Sequence, residues 1–218
     1  VQMGENPEKV FNVGSPAIDA VRSVDFNIKP NIFSSLDISK PYLLVLAHPV
    51  ATASVEENIK ITNNLISVLK EINIPKIVLG SNIDAGSDAV GKIVSNWIIN
   101  DKSGSIFFTK NLHPDNFYKY LNHTVCAVGN SSSFIREGAF LGTPVVLFGS
   151  RQNNRERGEN ILEVISNEKE YLKNAILNQI NHGKFTKSIL FGEGDSSFKI
   201  ASILAKVDLS IQKSFLNL

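Results

Sequence analysis

The sequence predicts an α/β fold in which helices cover both faces of a doubly wound parallel sheet. Short apolar runs alternate with longer amphipathic segments, and several runs are apolar throughout, which is typical of strands buried on both faces. Seven runs are strand candidates: Val10–Val13, Leu43–Ala47, Lys76–Leu79, Ile106–Thr109, Val125–Val128, Val145–Phe148 and Ile161–Val164. Because such alternation joins parallel strands through helical crossovers, we expect one domain over residues 1–218.

The segments between these runs have helical periodicity. In Val55–Glu71 and just beyond it, five aliphatic side chains recur at helical spacing and form one apolar stripe: Ile59, Leu65, Ile66, Leu69 and Ile72. Further helices are predicted at Asp88–Ile99, Pro114–Leu121, Phe134–Leu141, Lys169–Ile180 and Ser197–Phe215. The segment Phe26–Lys40 is the least regular and is predicted to be a linker or a surface arm.

Composition excludes several classes of function. The chain has 218 residues, 43% hydrophobic and 20% charged, so it can bury a sizeable core. Its net charge of +1 argues against a nucleic-acid-binding surface that depends on bulk charge. The single cysteine, Cys126, excludes an intrachain disulfide and a cysteine-based zinc site. We interpret Cys126 as a small core residue of a cytoplasmic protein.

The sequence has no run long enough to span a membrane and no secretory pattern in its first residues. Apolar runs such as Tyr42–Ala47 are much shorter than the roughly 20 residues that span a bilayer, so we expect no membrane partner. The first residues have no secretory pattern. The chain begins with Val1 rather than methionine, which suggests a piece of a longer protein.

Candidate functional residues follow the strands, because ligands of doubly wound sheets bind beyond the carboxyl ends of the strands. The fifth run leads into Gly129, Asn130 and three serines, Ser131 to Ser133, at the predicted start of a helix. Hydroxyls and free amides at a helix N-terminus favour an anion such as phosphate. Ser131 could simply cap the helix, but one serine suffices for a cap.

Glu137 lies six residues beyond Ser131 in an apolar part of the same helix. A carboxylate there could accept hydrogen bonds from the two vicinal hydroxyls of a ribose. The alternative is an ion pair with Arg136 or another base.

Polar residues follow four other strand candidates. His48 could donate to a phosphate or move a proton near neutral pH, although a loop histidine without function is an equal alternative. Asn82 is a candidate ligand contact, because capping of the next helix does not account for it. Backbone groups of the loop Lys110–Pro114 could contact a flat base. The planar guanidinium of Arg151 suits a diphosphate, and a solvated charge run with Arg155 and Arg157 is the alternative.

Taken together, these motifs resemble the hydrolysing UDP-N-acetylglucosamine 2-epimerases, namely the bacterial enzymes of sialic acid biosynthesis and the epimerase half of the bifunctional animal enzyme. The similarity runs from about Val10 to Phe191. It depends on the following stretches: His48-Pro49-Val50, Asn82-Ile83-Asp84-Ala85-Gly86, Gly129 to Ser133 with Arg136-Glu137, Gly142-Thr143-Pro144-Val145, and Gly149-x-Arg151-Gln152 with Arg155-Glu156-x-Gly158-Glu159-Asn160.

The resemblance implies a two-domain, glycosyltransferase-B-like enzyme that binds UDP between its domains. This chain matches the C-terminal, Rossmann-like, nucleotide-binding domain. The N-terminal partner domain, which supplies an arginine and carboxylates near the reacting sugar, is absent from it. Many relatives have glycine after the serines, where this chain has Phe134.

The resemblance also assigns roles to individual residues. His48 matches the histidine beside the diphosphate and the sugar and is the candidate catalytic residue. Ser131 and Ser132 match diphosphate-binding serines, and Glu137 matches a ribose-binding glutamate. The remaining substrate-binding candidates are Asn82 and Arg151 at the nucleotide and Leu112, which contacts uracil through its backbone.

The implied reaction converts UDP-N-acetylglucosamine and water into N-acetylmannosamine and UDP. UDP leaves by anti elimination, which gives a 2-acetamidoglycal, and water then adds with inversion at carbon 2. We expect no cofactor and no metal, no nucleic-acid partner, and a homo-oligomer when the protein is full length.

Three alternatives remain open from the sequence. They are a UDP-2,4-diacetamido-sugar epimerase, another UDP-sugar enzyme such as a glycosyltransferase, and a non-catalytic UDP-sugar-binding module. Because the partner domain is absent, we expect this chain alone to bind UDP without turning over the sugar.

Overall fold

The computed structural model describes residues 4–30, 32–80, 87–165 and 168–208. Its chain forms two compact units. The smaller unit comprises Val1–Ser23 and Phe191–Leu218, and the larger comprises Val24–Leu190.

The larger unit is built on a parallel sheet of six strands in the order β3-β2-β1-β4-β5-β6. The strands are β1 (Leu43–Leu46), β2 (Lys76–Leu79), β3 (Ile106–Thr109), β4 (Cys126–Gly129), β5 (Val145–Phe148) and β6 (Ile161–Val164). This order confirms the predicted doubly wound, Rossmann-like fold. Its switch point lies between β1 and β4, which pair side by side with Leu46 opposite Gly129.

Helices of the larger unit are α2 (Val55–Glu71), α3 (Ser87–Asn100), α4 (Pro114–His123), α5 (Ser132–Leu141) and α6 (Lys169–His182). Helices α2, α3 and α6 share one hydrophobic core with alternate strand residues such as Val45, Val128 and Val146. The intervening strand residues point to the opposite face, where Gly138 of α5 lies against Val145. Fully buried Cys126 belongs to the first core, and burial raises the pKa of its thiol to about 12.

One predicted strand was wrong. Val10–Val13 forms no strand, and the side chains of Val10 and Phe11 are 51% and 48% exposed. The Val10 N–H instead closes a 3₁₀ turn on the carbonyl of Pro7, and Asn12 accepts from the N–H of Gly14. This run is apolar but short, and its first N–H is bonded within a local turn in place of a neighbouring strand. The other six predicted strands are confirmed within one residue.

The smaller unit packs helix α1 (Pro16–Arg22) against helix α7 (Ser196–Leu204). The Asp19 carboxylate of α1 accepts hydrogen bonds from the backbone N–H groups of Ser196 and Ser197, at 3.0 and 2.6 Å. These N–H groups belong to the first turn of α7 and have no partner within that helix. Hydrogen bonds from Ser197 and Ser196 lower the pKa of Asp19 to about 2, against the weaker opposing effect of burial.

No helix within the described ranges combines the length and the apolar composition that crossing a membrane requires.

Candidate functional site

A polar cleft of about 290 Å³ opens at the carboxyl ends of the central strands. Its lining comes from the ends of five strands and the segments that follow them: Leu46 and His48 after β1, Leu79 and Gly80 at β2, Lys110 to Leu112 after β3, Ser131 to Ser133 after β4 and Arg151 after β5. Phe117 of α4 completes the wall. The cleft therefore occupies the switch point of the sheet, where this class of fold binds ligands.

Helix α5 points its N-terminus into this cleft. Ser131 is the N-cap, and its Oγ accepts from the N–H of Ser133 at 3.3 Å. One serine is therefore a cap, as the simpler interpretation held. Ser132 and Ser133 lie in the first turn, at the positive end of the helix dipole, and both line the cleft.

The charged residues of the cleft are cations. Lys110 and Arg151 line it, and the described lining contains no aspartate or glutamate. Two cations beside a helix N-terminus produce a positive potential at this lining. The cleft is thus suited to an anion that carries several oxygen atoms.

Buried amide side chains form hydrogen bonds with both ends of the His48 loop, residues 48–50. Asn130 pairs with the main chain of His48, and Asn58 of α2 pairs with the main chain of Val50. A residue beyond the end of a strand is normally free to move, so these bonds hold the histidine at one place beside the cleft.

Glu137 lies outside the described lining of the cleft, within helix α5, and is only 3% exposed. Its Oε2 lies 3.7 Å from Nε of Arg136, which is too long for a hydrogen bond, and has no hydrogen-bond partner among the described residues. Burial raises the pKa of Glu137, although its own backbone N–H and Arg136 oppose that shift. The alternative predicted from sequence, an ion pair with Arg136, is therefore present but weak in geometry.

The three arginines after β5 separate. Arg151 reaches the cleft, whereas Arg157 forms an ion pair with Glu163 of β6 and donates to the carbonyl of Gln152 at 3.2 Å. Arg155 is exposed. The predicted cluster is therefore divided between one residue of the site, one structural anchor and one surface residue.

The structure gathers five of the seven predicted site residues around one cleft: His48, Leu112, Ser131, Ser132 and Arg151. Glu137 is buried outside the lining, and Asn82 lies outside the described residues. Phe134, where the sequence was expected to depart from the family pattern, is fully buried and is not part of the described lining of the cleft.

Several residues of the site were not assigned from the sequence, among them Lys110, Phe117 and Asn130. Lys110 and Phe117 line the cleft, and Asn130 pairs with the His48 main chain. Lys110 and Asn130 directly follow strands, and that position in the sequence could have identified them as candidate site residues. Phe117 lies one turn into α4, so only the packing of that helix reveals it.

The chain matches, over residues 1–205, the family described as UDP-N-acetylglucosamine 2-epimerase. It is 29% identical to the UDP-N,N'-diacetylbacillosamine 2-epimerase (hydrolyzing) of Legionella pneumophila, over 97% of this chain and 55% of that protein. It is 27% identical to the UDP-N-acetylglucosamine 2-epimerase of Neisseria meningitidis, over 100% of this chain and 58% of that protein. The chain thus spans little more than half the length of these relatives.

A solved structure with the same fold is that of the UDP-GlcNAc 2-epimerase of Methanocaldococcus jannaschii in complex with UDP-GlcNAc and UDP. The TM-score is 0.70 at 15% identity, over 94% of this chain and 57% of that one. At this identity the comparison establishes the fold.

Proposed function

Because the chain belongs to the UDP-N-acetylglucosamine 2-epimerase family, we propose that its cleft binds the UDP part of a nucleotide sugar. The observation that supports this most strongly is the combination of the α5 N-terminus with Lys110 and Arg151 around one cleft. The diphosphate lies against the backbone and hydroxyls of Ser131 and Ser132, where the helix dipole favours negative charge. Arg151 binds the same group from the β5 side.

The nucleoside extends from the diphosphate toward β3 and α4. Leu112 offers backbone groups to the edge of the base, and the ring of Phe117 offers an apolar wall. The ribose hydroxyls bind Glu137 and supply the partner that its Oε2 lacks. Because Glu137 is buried outside the lining, this step requires its carboxylate to be uncovered when the nucleotide binds.

We propose further that the chain is the nucleotide-binding half of a hydrolysing epimerase. In the reaction that the family resemblance implies, the bond between the sugar and UDP breaks, and negative charge develops on the leaving diphosphate. The helix N-terminus, Arg151 and Lys110 stabilise that charge, which lowers the barrier to departure. His48 donates a hydrogen bond to the leaving phosphate or transfers a proton to it. The base that removes the proton at carbon 2 belongs to the partner domain.

A second candidate substrate is a UDP-2,4-diacetamido sugar. The proteins from Legionella pneumophila (29% identical) and Campylobacter jejuni (28% identical) are both named as diacetylbacillosamine epimerases. In our assignment the residues of this chain contact the nucleotide, whereas the sugar lies against the partner domain. Choosing between the two sugars therefore requires assays of the whole protein.

Calorimetry on the 218-residue chain tests the binding proposal. We expect UDP to bind at least about tenfold more tightly than uridine, because the diphosphate contributes the contacts with the serines and Arg151. We also expect no release of UDP or N-acetylmannosamine from UDP-N-acetylglucosamine. Equal affinity for UDP and uridine would exclude the cleft as a diphosphate site, and robust turnover would show that the chain is more than a binding half.

A further inference from the structure

The pairing of β1 with β4 continues past the ends of both strands through one side chain. The last register pair is Leu46 with Gly129, and the N–H of Asn130 then donates to the carbonyl of Leu46 at 3.2 Å. Beyond that point the Asn130 side chain, rather than its backbone, forms the hydrogen bonds to the β1 segment. Its Oδ1 accepts from the N–H of His48, and its Nδ2 donates to the carbonyl of His48, both at 2.8 Å.

An asparagine side chain suits this position because its amide has the same donor and acceptor as a peptide group. It therefore binds both main-chain groups of His48 where the backbones no longer run side by side. Asn130 is 2% exposed, so water cannot readily replace these bonds.

The backbone carbonyl of Asn130 bonds to side chains from the segment after β5. It accepts from Nε2 of Gln152 at 2.8 Å and from Nη1 of Arg151 at 3.3 Å. The Gln152 carbonyl accepts from Arg157, and Arg157 is paired with Glu163 of β6. One residue at the switch point is thus bonded to the histidine on one side and to the arginine on the other.

We propose that Asn130 is a positioning residue, which places the His48 main chain and receives Arg151 so that both side chains meet the same diphosphate. This inference rests on the proposed function, because the diphosphate is the group that the two residues share. It assigns to Asn130 an effect on ligand binding that is exerted through His48 rather than by contact with the ligand.

A double-mutant cycle on the 218-residue chain tests this, with UDP affinity measured for His48→Ala, Asn130→Ala and the double variant. If Asn130 acts through His48, each single change weakens UDP binding by about tenfold or more. The double variant then binds within about twofold of the weaker single variant, because the two changes remove one shared contribution. Losses that multiply, or an Asn130→Ala variant that binds UDP like the wild type, would overturn the proposal.

Gln179→Ala is the matched control. Gln179 is also buried, and its side-chain amide also makes two hydrogen bonds with the main chain, both donated by Nε2, to the carbonyls of Val145 and Asn160. It lies outside the described lining of the cleft. We expect this variant to be destabilised, with UDP affinity within about twofold of the wild type. Combined with His48→Ala, its effect should be independent. Coupling of the same size between Gln179 and His48 would reduce the Asn130 effect to a general loss of stability and overturn the proposal.

Amide hydrogen exchange at His48 separates a failure of this inference from a failure of the proposed function, because it needs no ligand. We expect the His48 N–H to be protected in the wild type and in Gln179→Ala, and to exchange faster in Asn130→Ala. If the wild type does not bind UDP, the proposed function fails, yet exchange still reports on the Asn130–His48 bond. Unchanged exchange in Asn130→Ala would overturn the positioning role.

If Asn130→Ala does not fold, Asn130→Ser replaces it in every comparison. The serine side chain is too short to reach both main-chain groups of His48.

Discussion

A Cβ atom on Gly129 would lie 1.9 Å from the backbone oxygen of Leu46, its register partner on β1. The same atom would lie 3.0 Å from the ring of Phe134, which is fully buried. Neither neighbour is the free end of a flexible side chain, so the space cannot be opened cheaply. The close approach of β1 and β4 therefore requires glycine at this position. The same approach brings the serines after Gly129 to the cleft beside β1.

Gly129→Ala should destabilise the chain by about 3 kcal/mol, because β1 and β4 must separate to admit the methyl group. Urea denaturation monitored by circular dichroism measures this. The variant should also lose affinity for UDP, since Leu46 and Ser131 line the same cleft.

Gly91→Ala is the control for that substitution. Gly91 lies in helix α3 beside an apolar cavity of about 250 Å³, and a Cβ atom there would meet nothing within 4 Å. It should stabilise the chain by about 0.5–1 kcal/mol, because alanine loses less conformational entropy than glycine in a helix. If both substitutions had the same effect, the close approach at Gly129 would not be what requires glycine there.

Replacing Ser131 and Ser132 by alanine together should weaken binding of UDP far more than binding of uridine, because only UDP has a diphosphate to contact the serines. Calorimetry with both ligands gives the ratio of affinities. The double variant should also lose about 1 kcal/mol of stability, since the Ser131 cap is removed.

Ser54→Ala is the matched control for loss of a helix cap. Ser54 is the N-cap of α2 and accepts from the N–H of Glu57 at 3.1 Å, away from the cleft. Its loss should lower the melting temperature in a similar way and leave the ratio of UDP to uridine affinity unchanged. An unchanged ratio in the serine double variant as well would mean that the serines only start the helix.

Glu137→Gln should weaken UDP binding by about 1–3 kcal/mol, the range for a hydrogen bond to a charged group. Affinity for pyrophosphate, which has no ribose, should hardly change. Calorimetry with the two ligands measures the difference. Equal losses for both would assign Glu137 to the fold rather than to the ribose.

The same variant should be more stable than the wild type near neutral pH in the absence of ligand. Burial raises the pKa of Glu137, so the folded chain binds its proton more readily than the unfolded chain does. The stability that this proton contributes is present at low pH and is lost as the pH rises through the raised pKa. The advantage of Glu137→Gln should therefore shrink as the pH is lowered toward 4, which thermal melts at several pH values would show.

Asp19→Asn should weaken the attachment of α7 above pH 4 and have little effect near pH 2. The pKa of Asp19 is lowered to about 2, so its contribution is present above the ordinary value of 3.8 and is lost as the pH falls through 2. Amide exchange of Ser196 and Ser197, compared between wild type and variant from pH 2 to 5, measures this. A constant difference across that range would exclude the carboxylate charge as the cause.

The fold could be predicted from local pattern and the family from the resemblance of the motifs, and both are confirmed. Six strands and the helices between them follow from runs whose apolar spacing is a property of neighbouring residues. The same rule was wrong at Val10–Val13, because an apolar run becomes a strand only where another strand supplies hydrogen bonds to it. Pattern alone does not report whether that partner exists.

The sequence by itself determined which residues follow the strands, and therefore that His48, Ser131, Ser132 and Arg151 meet at one edge of the sheet. Only the tertiary structure decided which of these residues are in contact and which other residues connect them. The bonds of Asn130 to His48 join residues 82 positions apart. Glu137 is buried in α5, which packs against α4 and β5. Contacts of this kind depend on how strands and helices approach in space, which the order of residues along the chain does not state.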